Sequence, residues 1–319
     1  MMTGRLYIDG YDAYTTWGVY VVSGGWNDLI SYPPIKSVES NDWHEVDGIE
    51  ADLSAPKLNI KEATLRIACA GVYGRFADFI AMLSDKAYHD FDCRYIDRRY
   101  TLRLTQMPNL DHANALGFIT LKLSDDFPLN DYTYNASSSL IPAVDDYLID
   151  GVPFTNYGVR ILEGSLSEVM KTASVKQNLI CNLSTTNGAI YDGATVTFKS
   201  KDVKLKCLMR AKSLSELWRN YDALLFDLIR PNERLLEVQE LEQAFPCMYK
   251  SASVTNFYPE DKIWLEFTIT MTFTQGSRID SGMALASEHG TLIFTEDGIN
   301  AIDMLPIISA GTPLLQQIV

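Results

Sequence analysis

One stretch of this chain occurs twice, and that constrains the fold more than any other feature. Leu6-Tyr7-Ile8-Asp9-Gly10 is followed by Trp17-Gly18-Val19. About 140 residues later, Tyr147-Leu148-Ile149-Asp150-Gly151 is followed by Tyr157-Gly158-Val159. Each copy predicts a short apolar strand, an Asp-Gly turn and an aromatic-Gly pair opening a second strand. Asp9, Gly10, Gly18, Asp150, Gly151 and Gly158 are thus expected to mark equivalent turns in two tandem domains, rather than a ligand loop. A period this long is too large for a solenoid and fits one duplication of a whole domain.

The segments that follow each copy keep the same order. In the first, Trp43-His44-Glu45-Val46, Asp47-Gly48 and Ile49 to Leu53 read as strand, turn and strand, a strong short-range hairpin signal. Residues 64–69 alternate as a strand does. Then the period changes: within Val72 to Lys86, Phe76, Phe79, Ile80 and Leu83 fall at i, i+3, i+4 and i+7, one face of an amphipathic helix. Strands resume over 91–95, 100–104 and 116–123. In the second copy a hairpin is expected within Leu179 to Phe198, with its turn at Asp192-Gly193, and a strand over 204–209. A helix from Leu214 to Leu228 follows, opened by a Ser213/Glu216 capping box and stopped by Pro231. The closing strand is Ile263 to Phe273, where apolar and Thr-rich positions alternate.

The expected fold is therefore mainly β with one helix per domain (α+β). Two tandem domains occupy 1–142 and 143–275, each a β-sandwich or barrel, joined through the polar, Tyr-rich Asn130 to Pro142 linker. Residues 276–319 form an extension that belongs to neither copy. Ile307, Ile308, Leu314, Leu315, Ile318 and Val319 make it apolar enough to pack as an arm.

Charge narrows the function classes. Of the 319 residues 41 are acidic and 27 basic, a net charge of −14. Residues 1–145 hold 20 acidic and 12 basic side chains and the remainder 21 and 15, so both halves are acidic and neither carries a basic stripe for gripping nucleic acid. No apolar run approaches the length of a membrane span, and Met1 to Arg5 lack a signal core. Five widely spaced cysteines without a CxxC pair predict buried, reduced thiols.

A search for chemistry returns no site. His44, His89, His112 and His289 fall in no metal-ligand spacing, and there is no GxSxG, GxGxxG or P-loop. Asp125-Asp126, Asp145-Asp146 and Glu50 with Asp52 are carboxylate pairs whose default is solvated surface. The expectation is no catalytic residue, no metal and no cofactor. Trp17, Tyr20, Trp26, Trp43 and Tyr157 suit core packing better than a sugar-stacking platform.

The hairpin around Asp47-Gly48, the strand Thr64 to Cys69 and the helix Val72 to Lys86, repeated in order after Asp150, resemble the tail-tube fold of bacteriophages. The opening strand, Asp-Gly and aromatic-Gly is similar to that of distal tail proteins. This resemblance covers about 270 residues at the level of element order and extends to tail-hub and duplicated tail-tube proteins. It implies a structural component of a phage or prophage tail, assembled in the bacterial host cytoplasm and built into the virion. Its partners would be itself, as a hexameric or a trimeric pseudo-hexameric ring, and other tail and baseplate proteins. DNA would pass through the channel without specific binding, and no membrane span is implied. The hairpins at Asp47-Gly48 and Asp192-Gly193 would project to neighbouring rings. A surface carbohydrate- or host-binding β-sandwich module is the other expectation from the sequence.

Overall fold

Alternating apolar residues in the long strands decide which face each sheet buries. The structure, a computed structural model, describes residues 2–275 except 71–72, 114–115, 130–131, 178–179 and 192–195. The Asp192-Gly193 turn and the expected C-terminal arm lie outside the described residues. The fold is mainly β, and Met1–Gly276 belong to one compact unit.

The first half runs β1 (Tyr7–Ile8), β2 (Tyr11–Asp12), α1 (Ala13–Trp17), β3 (Val19–Val21), α2 (Asn27–Ile30), β4 (Ser40–Asn41), β5 (Glu50–Ala51) and β6 (Lys61–Ala70). It continues with α3 (Tyr73–Leu83), β7 (Tyr88–Cys93), β8 (Arg98–Gln106), β9 (Leu110–Ala113) and β10 (Leu116–Asp125). Its main sheet has the antiparallel order β2-β1-β7-β8-β10-β6-β3, with β9 paired to β10. The small hairpin β4-β5 stands apart from it.

The second half runs β11 (Tyr147–Ile149), β12 (Val152–Pro153), a 3-10 turn (Phe154–Tyr157), β13 (Val159–Ile161), α4 (Ser165–Met170), β14 (Ile180–Cys181) and β15 (Ile190–Tyr191). Then come β16 (Lys201–Ala211), α5 (Leu214–Leu228), β17 (Arg234–Val238), a second 3-10 turn (Gln239–Leu241), β18 (Gln243–Tyr258) and β19 (Ile263–Phe273). Its sheet order is β12-β11-β17-β18-β19-β16-β13, and β14-β15 is again a separate hairpin. Replacing each strand of the first order by the strand at the same place in the second half reproduces this second order.

The longest elements follow their sequence patterns. In β19 every residue at the odd positions from Ile263 to Phe273 is buried, as are Ala63, Leu65, Ile67 and Cys69 of β6. On α3, Phe79 and Leu83 are buried, with Phe76 and Ile80 partly buried against the core. The Ser213 hydroxyl caps α5 by accepting from the Glu216 amide at 3.1 Å, and the Glu216 carboxylate accepts from the Lys212 amide at 3.0 Å. That is a capping box shifted by one residue on its return arm.

Two local expectations are corrected. Trp43 to Val46 is not a strand: only Ser40–Asn41 and Glu50–Ala51 pair, and the residues between them form the turn. Their backbone groups are drawn instead to a surface of the second half, described below. The aromatic-Gly pairs do not simply open strands. Trp17 ends the helix α1 and Tyr157 ends the 3-10 turn, each helical turn being capped by its glycine at φ 72 and 75. A Cβ at these glycines would stand 3.1 Å from the Ala70 carbonyl oxygen and 2.9 Å from that of Arg210, so both the left-handed backbone and the close approach require glycine.

Candidate functional site

The paired Asp-Gly turns are structural clamps. Asp9 and Gly10 have φ 50 and 84, and Asp150 and Gly151 have φ 51 and 76, the two positive values of a type I′ hairpin turn. The Asp9 carboxylate accepts the Asp90 amide at 3.0 Å and contacts Nδ1 of the buried His89 at 2.6 Å. Asp150 accepts the Leu235 amide at 2.8 Å and the Arg234 guanidinium at 2.6 Å. In each half, one carboxylate thus ties the first hairpin to the start of the next strand in the sheet, using a backbone amide and the side chain of the residue just before it. Desolvation works against the Asp9 carboxylate, but the Asp90 amide, His89 and Lys86 outweigh it and hold its pKa below the usual value.

The β4-β5 hairpin meets the second half of the same chain. Lys176, 2% exposed, points its ammonium into the turn and donates to the carbonyl oxygens of Trp43 and Val46 at 2.8 Å and of Gly48 at 2.5 Å. Asp42 closes the ring of acceptors at 2.6 Å. The Gly48 amide donates to Phe198 O at 2.7 Å, the Ile49 amide to Thr274 O at 2.6 Å, and Asp47 accepts the Phe198 amide at 2.7 Å. Thr197 donates to His44 O at 2.7 Å. Gly48 sits so close to Thr274 that a Cβ would lie 1.7 Å from its carbonyl oxygen. Asp47 and Gly48 are therefore occupied within the chain. Lys176, Thr197 and Phe198, which form this cradle, carry no sequence motif that could have announced it.

Beside the cradle, the segment after α2 packs on the second sheet through aromatic rings. Tyr32 stacks on Tyr221 at 3.9 Å and donates to its carbonyl at 2.6 Å, while Tyr221 donates to Ile30 O at 3.0 Å. Tyr249 donates to Pro33 O at 2.8 Å, and Trp218 Nε1 donates to Ile96 O at 2.6 Å. Burial pushes the Tyr32 and Tyr221 hydroxyls well above the ordinary tyrosine pKa, which keeps them neutral donors at this dry contact.

Next to these rings lies a cleft of about 960 Å³, lined by residues that include Lys61, Arg98, Tyr100, Asp125 and Asp222. Burial lowers the Lys61 pKa to about 7, and its amine hydrogen-bonds Leu29 O. Arg98 pairs with Asp222 at 2.6 Å and lies 4.3 Å over the Trp218 ring. Burial also raises the Asp125 pKa. The cleft thus mixes buried charges of both signs, and its closest pair, Arg98 with Asp222, joins the two halves.

The remaining sequence candidates are not gathered into one place. Asp126 is held by Arg103, Tyr88 and Ser124. Trp17, Trp26 and Tyr157 are buried, so they form no open stacking platform; Trp43 is 54% exposed. Cys69, Cys93, Cys207 and Cys247 are buried, whereas Cys181 is exposed, because it sits on the β14-β15 hairpin. Among the described residues, no group of three or more His, Cys, Asp or Glu side chains is placed to hold a metal ion. No helix of the described residues is long and apolar enough to cross a membrane.

No protein-family model matches the sequence, and no curated protein matches it. Among solved structures, the chain is similar to SPP1 Dit (gp 19.1), described as a paradigm of the hub adsorption apparatus in phages infecting Gram-positive hosts. Identity is 14% and the TM-score 0.31, over 84% of this chain and 98% of that one. A likeness at that TM-score carries no weight for the fold or the function.

Proposed function

We propose that this protein is a structural component of a phage or prophage tail, of the distal-tail, hub or tube type, that forms a ring around a DNA channel. The observation that carries this reading is the recurrence of one strand order in two sheets of one chain, with a hairpin of the first seated on the second. On this reading, residues 1–142 and 143–275 are duplicated tail-tube-like domains, and the aromatic junction is the contact between neighbours in a ring. Asp9-Gly10 and Asp150-Gly151 then hold equivalent corners of the two. A net charge of −14 suits a wall that DNA slides past, since few cations are present to trap phosphates. Three two-domain chains, or six, would close the ring.

Light scattering with negative-stain microscopy tests this. The expected result is a trimeric or hexameric ring with a central pore. A protein that stays monomeric at every concentration reached would refute it.

A further inference from the structure

The two hairpins are equivalent, but among the described residues only one has a seat. Residue for residue, β4-β5 and β14-β15 stand 140 apart: Ser40 pairs with Ala51 as Ile180 pairs with Tyr191. The straps beneath them match at the same step. Lys36 N donates to Lys57 O and Asn59 N to Pro34 O; Lys176 N donates to Thr197 O and Lys199 N to Ser174 O. The counterpart of the buried Lys176 is therefore Lys36, and that of Asp47-Gly48 is Asn187-Gly188. Lys61 pairs with Asp125 and Lys201 with Phe273, which makes Asp126 the counterpart of Thr274. The first half thus carries its own version of the cradle, with Lys36 exposed and its ammonium unpaired among the described residues.

The second half, in turn, carries a donor face that is unseated among the described residues. Ile30 and Tyr32 of the first half are 3% and 4% exposed beneath the second, whereas Met170 and Val175, counterparts of Ile30 and Ile35, are 44% and 48% exposed. A Cβ on Gly48 would collide with the cradle, yet a Cβ on Gly188 would meet none of the described residues within 4 Å.

We propose that the β14-β15 hairpin docks head-to-tail on the Lys36 cradle of a second copy of this chain, repeating between chains the contact that Lys176 makes within one. The Lys36 ammonium takes the carbonyl oxygens of Leu183, Thr186 and Gly188; Asn187 accepts the Leu58 amide, and the Gly188 amide donates to Leu58 O. Charge favours this occupant. Chains of net charge −14 repel one another, but no charged residue lies between Ile180 and Tyr191, against four acidic ones between Ser40 and Ala51. A heterologous contact of this kind generates a closed ring or an open filament. The proposal rests on the duplication and self-assembly put forward above.

Two variants test it. Lys36→Glu alters an exposed side chain of the cradle. Gly188→Asn keeps a residue that tolerates positive φ but adds a side chain to the hairpin's docking face. Sedimentation equilibrium of the full chain should show wild type assembled and each variant self-associating at least about 100-fold more weakly, with melting as for the dilute wild type. Mixed, the two variants should form a one-to-one complex of twice 35.8 kDa and go no further, because one supplies the hairpin and the other the cradle. If wild type assembles and both variants assemble as tightly, this contact is wrong and the ring reading survives. If the variants are monomeric but do not complement, the head-to-tail pairing is wrong. A wild type that never assembles overturns both.

Discussion

Replacing Lys176 with methionine separates a hairpin that is merely nearby from one that is locked. The ammonium serves three carbonyl oxygens and the Asp42 carboxylate, all at 2.5 to 2.8 Å, with the lysine 2% exposed. Hydrogen bonds to a charged donor are each worth roughly 1.5–3 kcal/mol, and removing the cation leaves the turn carbonyls facing an apolar thioether. Against this, methionine avoids the several kcal/mol needed to dehydrate an ammonium. The balance is a loss of about 3 kcal/mol, which at about 2–4 °C per kcal/mol for a chain of this size lowers the melting temperature by about 6–12 °C. Calorimetry reads the shift, and amide exchange locates it. The Gly48 and Ile49 amides, which donate to Phe198 O and Thr274 O, should lose protection before the amides of β19 do. Lys36→Met in dilute protein is the control and should stay within about 0.5 kcal/mol of wild type. A Lys176→Met protein that melts with wild type, its Gly48 and Ile49 amides equally protected, would refute the locked hairpin.

Lys61 and Asp9 give pH signatures of the same sign in different windows. Burial lowers the Lys61 pKa from 10.5 to about 7, so between those values the unfolded chain binds more protons and stability rises with pH. Wild type should gain about 2 kcal/mol on Lys61→Met from pH 7 to pH 9; parallel pH curves of unfolding midpoints for the two would show that the buried amine carries no such penalty. Asp9 has a lowered folded pKa, so its contribution is full above about pH 4 and is lost as pH falls through the folded value. Asp9→Asn should be less stable at neutral pH and lose less stability on acidification than wild type. Identical acid limbs in urea titrations would refute the clamp.

The elements legible in the sequence are those long enough for their period to show. β6, β16, β19, α3 and α5 are such elements, and side-chain burial along them follows the pattern. α1 spans five residues, too few for a helical period, and its glycine cap was visible only as an aromatic-Gly pair. Trp43 to Val46 alternates like a strand, but the carbonyls of Trp43 and Val46 belong to Lys176 and that of His44 to Thr197, far away in the chain, and no local pattern encodes that. The turn equivalent to Asp47-Gly48 is Asn187-Gly188, with Gly188 at φ 81; Asp192-Gly193 reads as the counterpart because it is the second Asp-Gly pair of the second half, as Asp47-Gly48 is of the first. The tyrosines of the junction lay hidden for another reason. Tyr32 precedes Pro33-Pro34 in what reads as a loop, and Tyr32 meets Tyr221 only through tertiary contact, 189 positions later. The lowered pKa of Lys61 is likewise tertiary, since its cause is burial at the cleft.

The substitutions between the two hairpin seats give the contacts different strengths. Within the chain, Lys176 has Asp42 as a carboxylate partner, Thr197 adds a hydroxyl hydrogen bond to His44 O, and Tyr32 of the same half stacks on Tyr221 of the second. At the corresponding places the contact between chains would have Asn182 for Asp42, Lys57 for Thr197 and Thr172 for Tyr32. It loses a charge pair, a hydrogen bond and an aromatic stack, while keeping the ammonium and the backbone bonds. Covalent linkage also gives the first contact an effective concentration that no second chain reaches. On the proposed reading, the inner contact therefore forms on folding and stays closed, and the outer one forms only when chains accumulate. That difference lets such a chain be made as a single folded unit first and joined to its copies later.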